Sequence, residues 1–422
     1  MAIHLQRSLL KLSKGKSLLD ITYAFLLITS WAHKQPKKFS TVLTIDPSLL
    51  RTNLMTKAGH FWIENGLEAY DLYINRIQDK DLFAICQLVK ILEHNYNEVE
   101  HEIRMLMLNH NKRLNLSYTP QSIKQLLQTI VSLYLDTSIH LSLYDFNARS
   151  GDLLSDIATT LPITPQKLCL EESNSLMQQI GWMFFALKYD EHEFSFANRN
   201  SLTDSTYVLT DQKFDGIFSY PKLSMVLDQE ESSLDKPYLC VSPDSQEKIH
   251  SPEALSVQLA NSLLNEQGVA FILVSESFLN RQGYDLKLRK YLIENDLVDT
   301  IISLPNNLYP GTTLSTSILI LNQTKQVPSQ IKLLNLSKNR LSKKDIAQAS
   351  QILKGNTDLH KEGIFTKIDK SQVDMNNFSL RTIDYTFYPT IEKNSLNIEV
   401  QKEKLSKALN NYHQTLDSWE KS

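Results

Sequence analysis

Two polar segments that directly follow predicted strands carry side chains suited to holding a small molecule. The first, residues 145–152, reads Asp-Phe-Asn-Ala-Arg-Ser-Gly-Asp. Its Gly151 allows a positive φ and a close approach of backbone amides to a ligand, and Asp145 can orient the turn. In the second segment Glu172 ends a strand, where a carboxylate accepts hydrogen bonds from ribose hydroxyls in dinucleotide-binding folds. Plainer interpretations stay open: an ordinary strand-to-helix turn for the first, and for Glu171 and Glu172 a solvated helix start.

A third segment, residues 220–223, reads Tyr-Pro-Lys-Leu and follows a predicted strand at 214–218. One hypothesis for this region is a small-molecule enzyme in which Asp215 and Lys222 form an acid/base pair. The alternative is that Asp215 is only a strand residue.

Short apolar strands alternate with helices after Pro120, which interrupts the preceding helical pattern. Strands are predicted at 140–144, 167–170, 214–218, 269–274, 299–304 and 315–321, and helices at 153–161, 175–187 and 286–295. Strands separated by helices imply right-handed crossovers and a mostly parallel, doubly wound α/β sheet. Ligands on such sheets lie at the carboxyl ends of the strands. The three polar segments are therefore expected at that edge.

The chain divides into three predicted parts. Residues 1–112 carry apolar side chains at helical spacings and are expected to form an all-helical domain. Residues 113–330 form the α/β domain. Residues 331–422 are polar and lysine-rich, and end in an amphipathic helix with apolar side chains on one side from Leu396 to Trp419. That helix either folds back on the body or forms a partner-binding coiled coil.

Composition is typical of an ordinary globular protein of 422 residues with a net charge of -3. The acidic balance argues against binding nucleic acid through overall basicity, so any DNA contact needs a local patch or a basic partner. The three cysteines stand far apart without metal-ligand spacing, which predicts neither a zinc site nor a disulfide framework and fits a cytoplasmic protein. The apolar run 21–32 is too short to span a bilayer and is interpreted as a buried helix.

Several ordered segments resemble the modification subunits of type I restriction-modification systems. The most specific is residues 304–321, which read Leu-Pro-Asn-Asn-Leu-Tyr-Pro-Gly-Thr-Thr-Leu-Ser-Thr-Ser-Ile-Leu-Ile-Leu. Residues 268–274 and 292–298 precede it in the family's order and spacing. Tyr118-Thr119-Pro120 resembles the family's entry into the methyltransferase core, and residues 331–336 and 378–380 resemble its carboxyl region.

This resemblance implies a Rossmann-like methyltransferase fold that uses S-adenosylmethionine to methylate the N6 amino group of adenine in double-stranded DNA. It also implies partnership with a specificity subunit, and in some systems with a restriction subunit or another modification subunit. The positions matched to cofactor binding are Tyr118, Thr119, Asp145, Ser150, Gly151, Glu172 and Asn200. Arg149 departs from the pattern, because the family has a glycine there. Asn200 stands where an aspartate is usual.

The catalytic loop also departs from the family. Where the family has Asn-Pro-Pro-Phe, this chain has Tyr220, Pro221, Lys222 and Leu223. In the family, the asparagine oxygen and a backbone carbonyl accept the protons of the adenine amino group, and the aromatic residue stacks on the flipped base. The tyrosine hydroxyl is itself a donor, and leucine removes the stacking.

These departures favour a non-catalytic protein that keeps the shape for DNA binding or complex assembly. The alternative is an active adenine N6 methyltransferase with a rearranged pocket. Two basic clusters could contact phosphates, although such runs are usually solvated faces. They comprise Lys332, Lys338, Arg340, Lys343 and Lys344, and Arg281, Lys287, Arg289 and Lys290.

Overall fold

A computed structural model describes most of the chain up to residue 385. The described residues are 2–93, 95–110, 118–136, 141–162, 165, 167–204, 212–221, 223, 227, 236–243, 249, 251–306, 308, 314–338, 340–355 and 363–385. The predicted terminal helix at 396–419 and residues 309–313 lie outside them.

The first part of the chain is helical, as its apolar spacing predicts. Its helices are α1 (Ala2–Leu12), α2 (Leu18–Lys34), α3 (Pro36–Leu43), α4 (Leu50–Glu64), α5 (Tyr70–Arg76), α6 (Asp79–Ile91) and α7 (Tyr96–Asn109). Ser17 caps α2 by accepting a hydrogen bond from the Asp20 amide, and residues 21–32 are all buried. The apolar run is therefore the buried helix that the sequence predicts. Among the described residues, no helix has both the length and the apolar character needed to cross a membrane.

The α/β part is built on one nine-stranded sheet formed by the described strands. They are β1 (Ser142–Asp145), β2 (Lys167–Glu172), β3 (Phe194–Asn198), β4 (Phe214–Ser219), β5 (Leu264–Ser275), β6 (Val298–Ser303), β7 (Thr316–Asn322), β8 (Gln330–Asn335) and β9 (Phe365–Asp369). The order is β3-β2-β1-β4-β5-β7-β6-β8-β9. The run β3-β2-β1-β4-β5 is parallel. β7 runs antiparallel to both of its neighbours, and β9 runs antiparallel to β8.

Helices cover both faces of the sheet. They are α8 (Gln121–Ile130), α9 (Asp152–Thr160), α10 (Ser175–Ala186), α11 (Pro252–Leu263), α12 (Tyr284–Glu294), α13 (Lys343–Leu353) and α14 (Lys370–Met375). Along β5, Val269, Phe271 and Leu273 join one apolar core, whereas Ala270 and Ile272 join the other. This alternation follows from the two-residue repeat of a strand. A strand buried on both faces reads as a continuous apolar run, which is why β5 was recognisable in the sequence.

The amino-terminal helices share a core with one face of the sheet. Phe61 of α4 meets Trp182 of α10 edge to face, with ring centroids 6.0 Å apart. Lys34 donates to the Tyr189 carbonyl oxygen at 2.8 Å. The Arg104 guanidinium lies 4.4 Å from the Phe184 ring centroid. The helical part is thus packed firmly against the α/β part.

The sheet is larger than predicted. β3, β8, β9 and α11 are not among the predicted elements, and β8 crosses the boundary predicted after residue 330. Because β8 pairs with β6, with Thr300 opposite Lys332, the sheet continues into the part assigned to the carboxyl region. The division of the chain into three domains stays a prediction.

Candidate functional site

The turn after β1 is held by the end of β2. The buried Asp145 carboxylate accepts a hydrogen bond from the Asn147 amide at 3.0 Å. Ala148 donates its amide to the Glu171 carbonyl oxygen at 3.0 Å. Arg149 donates its amide to the Glu172 carboxylate at 2.8 Å. These bonds tie the first turn to the second strand.

The turn passes through two residues of positive φ before α9 begins. Gly151, which precedes α9, has φ +70°. Arg149 has φ +53°, in the left-handed region that favours glycine. The backbone therefore has a glycine-like conformation at the position where the family carries glycine, although the residue is arginine.

The Arg149 side chain crosses to the loop after β4. Its guanidinium carbon lies 4.1 Å from the centroid of the Tyr220 ring. One guanidinium nitrogen donates to the Tyr220 carbonyl oxygen at 3.4 Å. Burial raises the pKa of the Tyr220 phenol, with the Arg149 charge opposing this shift. The phenol stays protonated, and the guanidinium and the ring form a cation–π contact between the two loops.

Glu172 is a structural tie as well as a candidate ligand. It is 6% exposed. One of its oxygens accepts from the Arg149 amide at 2.8 Å and the other from the Asn174 amide at 2.7 Å. A carboxylate oxygen has two lone pairs, so Glu172 keeps capacity for further donors. Glu172 can therefore hold the turn and still accept hydrogen bonds from ribose hydroxyls.

A cleft lies at the carboxyl ends of β1 to β4. Its lining residues are Asn147, Arg149, Glu172, Ser173, Asn200, Leu202, Thr203, Tyr220, Pro221, Leu227 and Pro252. The polar segments singled out in the sequence thus meet at one edge of the sheet, where a doubly wound fold binds its ligands. Of the predicted site residues, Glu172, Asn200, Tyr220 and Pro221 line this cleft.

The other predicted site residues are not part of that lining. Asp145 and Gly151 support the turn, and Leu223 packs against the apolar core. Lys222 lies outside the described residues. Sequence reasoning missed Asn147 and Ser173 in the cleft, although Ser173 directly follows β2 and Asn147 lies two residues after β1. The sequence signal for Asn147 was its position in the first turn. Its side-chain oxygen accepts a hydrogen bond from the Ser219 hydroxyl at 2.8 Å.

Tyr118, Thr119 and Ser150 do not line the cleft. Thr119 and Ser150 are buried. The hydroxyl oxygens of Tyr118 and Ser150 are buried without a hydrogen-bond partner among the described residues. The nearby Asp152 carboxylate lies 3.3 Å from the Lys124 ammonium. Their roles toward a cofactor stay predictions.

The cleft fits an adenosine group better than it fits a whole S-adenosylmethionine. Glu172 and Asn200 contribute a carboxylate and an amide to the lining. Arg149 and Tyr220, which contact each other, line the same cleft. The cavity that remains is about 100 Å³, whereas small-molecule sites are commonly about 300–1,000 Å³. The residues present therefore do not fit the methionine part of that cofactor.

Two sequence-based interpretations are wrong. Asp215 stands at the amino end of β4, away from the cleft, and accepts from the Ser142 amide at 2.7 Å, which leaves no role for it as an acid/base partner in that cleft. Arg289, considered as a phosphate contact, is fully buried. Its guanidinium donates to the Phe278 and Phe378 carbonyl oxygens.

Asp145 should make stability depend on pH. Burial raises its pKa to about 7, with the Asn147 amide opposing this shift. Since the unfolded value is about 3.9, the folded state binds the proton more tightly. The proton on Asp145 therefore contributes to the free energy of unfolding. This contribution is complete below about pH 4 and is lost as pH rises through about 7. We expect Asp145→Asn to reduce this loss by roughly 2–4 kcal/mol, measured as urea unfolding free energies at about pH 4 and about pH 8.

The exposed Asp71, on α5, supplies the control for this prediction. Asp71→Asn should leave the pH dependence of unfolding as it is in the unaltered protein. An unchanged pH dependence in Asp145→Asn would show that Asp145 is not the responsible group.

Comparison with known proteins gives the class and then the family. The sheet and its cleft define a Rossmann-like α/β methyltransferase fold. A profile of the N-6 DNA methylase family matches residues 98–394, and the chain belongs to that family, whose methyl donor is S-adenosylmethionine. It is similar to the type I restriction enzyme MpnII methylase subunit of Mycoplasma pneumoniae, with 26% identity over 323 residues that cover 71% of this chain and 58% of that relative. It is also 25% identical, over 159 residues, to the MjaVII methylase subunit of Methanocaldococcus jannaschii, covering 35% of this chain and 27% of the relative.

Solved structures show the same fold. The type I restriction-modification methyltransferase subunit of Streptococcus thermophilus aligns with a TM-score of 0.66 and 15% identity over 90% of this chain and 99% of that one. A chain from a study of complex assembly in a type I restriction-modification system aligns with a TM-score of 0.69 and 14% identity, covering 98% of this chain and 96% of the other. The predicted family and fold class are thus confirmed.

Proposed function

We propose that this chain is a non-catalytic member of the N-6 DNA methylase family that acts in assembling a restriction-modification complex. The observation that carries the proposal is the Arg149 guanidinium stacked on the Tyr220 ring in the lining of the cleft. Its partners would be a specificity subunit and a restriction subunit or another modification subunit, together with double-stranded DNA held by the whole complex.

The positive charge of Arg149 opposes the binding of the methyl donor in this cleft. S-adenosylmethionine carries a positive sulfonium, and Arg149 adds a second fixed positive charge. Two like charges about 5 Å apart repel by roughly 3 kcal/mol at an effective dielectric constant of about 20. The family's glycine at this position carries no charge. Arg149 therefore acts against the cofactor by its volume and by its charge.

The acceptor end is also altered. The protonated Tyr220 hydroxyl and the adenine amino group are both hydrogen-bond donors, so Tyr220 cannot replace an asparagine oxygen. Leu223 lacks the ring that would stack on a flipped base, a contact worth roughly 1–3 kcal/mol. Losing one preorganised polar group typically costs about 10²–10³ in rate. Together these changes support the loss of methyl transfer.

Charge placement favours assembly over an independent DNA-binding role. The chain has a net charge of -3. In the two basic clusters, Arg289 is buried and the Lys332 ammonium lies 3.1 Å from the Asp299 carboxylate. Those two side chains are engaged within the protein, and the net negative charge disfavours DNA binding by this chain alone. The amphipathic segment 396–421 is the proposed attachment for such a partner.

Isothermal titration with S-adenosylmethionine tests the proposal. We expect no binding heat with the unaltered protein, even well above micromolar cofactor concentrations, and measurable binding with Arg149→Gly. Glycine accepts the φ of +53° without strain, which offsets part of the loss of the contact with Tyr220, so this variant should fold. Arg340→Gly changes an exposed arginine elsewhere and should still show no binding.

The active alternative makes the opposite prediction. An adenine N6 methyltransferase with a variant loop would bind S-adenosylmethionine at micromolar concentration without any substitution. It would also transfer the methyl group to duplex DNA when supplied with its specificity subunit. Either result would overturn the non-catalytic proposal.

A further inference from the structure

We propose that the outer edge of β3, together with a cavity beside it, docks an extended, arginine-bearing segment of a partner protein. The inference rests on the proposed assembly role, to which it adds a contact surface and the chemistry of the partner. This surface is separate from the cleft, because the two share no lining residue.

The two edges of the sheet formed by the described strands are protected differently. The strand order begins with β3 and ends with β9. β9 carries two exposed charged residues, Lys367 and Asp369, of the kind that keep an edge from pairing with another chain. β3 has no charged residue, and its exposed side chains are those of Ser195 and Asn198. Of these two edges, β3 is therefore the one that favours addition of a strand.

The backbone of β3 directs alternate peptide groups away from the sheet. Glu193 and Arg199, which flank β3, each make a backbone hydrogen bond to β2. Because these groups alternate in direction along a strand, those at the even-numbered positions of β3 point away from β2. One of them, the Phe196 carbonyl oxygen, accepts from the Gln178 side chain at 2.8 Å. Gln178 and Phe196 both line the cavity, so the outward-facing backbone lies beside it.

The cavity beside this edge is acidic. It measures about 380 Å³ and is lined by the end of α4 and the loop that follows, by α10 and by β3. Glu64 and Glu68 contribute carboxylates, and the described lining contains no lysine or arginine. The carboxyl end of α4 adds the partial negative charge of a helix terminus. The cavity therefore attracts a cationic side chain and repels the phosphates of a nucleic acid.

Trp182 favours arginine over lysine as that cationic side chain. Its ring belongs to the lining and meets the Phe61 and Phe194 rings, with centroids 6.0 and 6.1 Å away. A planar guanidinium can contact an aromatic ring and donate to carboxylates at the same time, whereas an ammonium is a compact point charge. Main-chain hydrogen bonds to β3 would then supply affinity, and the arginine in the cavity would supply specificity.

Fluorescence anisotropy of a labelled peptide tests this surface on the full chain. The peptide alternates threonine and valine around one arginine, and its control has citrulline, an uncharged isostere, at that position. The arginine peptide should bind with a Kd of roughly tens to hundreds of micromolar, about three- to tenfold more tightly than the citrulline peptide. N-methylation of alternate amides removes one row of main-chain hydrogen bonds, keeps the charge, and should weaken binding at least about tenfold.

A charge reversal in the cavity tests the arginine preference. Glu68 is exposed, so Glu68→Lys should fold. Its ammonium would offset the Glu64 charge and should reduce the preference for arginine over citrulline to less than about twofold. Glu266→Lys makes the same change at an exposed position outside the cavity and should keep the preference.

Three results would overturn the inference: no binding of the arginine peptide up to about 1 mM, equal binding of its N-methylated form, or an arginine preference that survives Glu68→Lys. A dimer of this chain that the arginine peptide dissociates would also overturn it, by assigning the edge to a second copy. We expect no such dimer, because pairing β3 with β3 would bring the carboxylates of both copies together. Binding of S-adenosylmethionine by the unaltered protein would overturn the non-catalytic proposal alone, since that ligand would occupy the cleft and not this cavity.

Discussion

Replacing Arg289 by methionine is expected to lower the free energy of unfolding by roughly 3–5 kcal/mol, measured by urea unfolding. This arginine is fully buried on α12 and donates to three backbone carbonyl oxygens, those of Phe278, Arg281 and Phe378, at 2.6 to 2.9 Å. Burial lowers its pKa to about 10, with the Asp285 charge opposing this shift, so it remains charged at neutral pH. Methionine preserves much of the volume but leaves those acceptors without their donor. Replacing a buried ion pair by apolar side chains can stabilise a protein when both partners are replaced. Here the partners are backbone carbonyl groups, which no substitution removes, so they would stay buried without a donor.

Two further variants isolate the cause. Arg289→Lys should lose nearly as much stability, because one ammonium cannot reach three acceptors in a planar arrangement. Arg340→Met alters an exposed side chain outside α12 and should change stability by less than about 1 kcal/mol. A methionine variant as stable as the unaltered protein would show that the carbonyl oxygens find other donors, and that Arg289 does not fasten the segment at Phe378 to α12.

The sequence predicted the strands that are buried on both faces and missed those with weaker patterns. β5 and β7 read as continuous apolar runs, and both are strands. β3 reads Phe-Ser-Phe-Ala-Asn, in which a serine and an asparagine are exposed. β9 has only Ile368 fully buried. Edge strands of this kind depend on pairing with a neighbour, which one sequence does not display.

The candidate site was predicted in outline because its residues follow strand ends. Glu172 and Asn200 line the cleft as that logic requires. What the sequence could not give is the position of the Arg149 side chain. Its contact with Tyr220 joins residues far apart in the chain, and depends on β1 lying next to β4 in the sheet. The sequence identified both departures from the family, but only the fold shows that they meet.

Gly151→Ala is expected to destabilise the protein by roughly 2–5 kcal/mol, measured by thermal and urea unfolding. Gly151 has φ +70°, which alone costs an alanine about 1–2 kcal/mol. In addition, a Cβ at this position would lie 2.9 Å from the Leu170 side chain and closer still to the Phe185 ring. Both neighbours are buried, so relieving the overlap must move packed core side chains.

Gly15→Ala provides the matched control, because Gly15 has φ +71° and a Cβ there would meet nothing within 4 Å. It should lose only the backbone part, about 1–2 kcal/mol. The difference between the two variants measures the packing of Gly151 against α10 and β2. Equal losses would mean that the core yields at no cost and that packing does not require this glycine. A larger loss at Gly151 would mean that the packing of the first turn requires a glycine at this position. The presence of Gly151 would then be explained by folding, without any role in binding a cofactor.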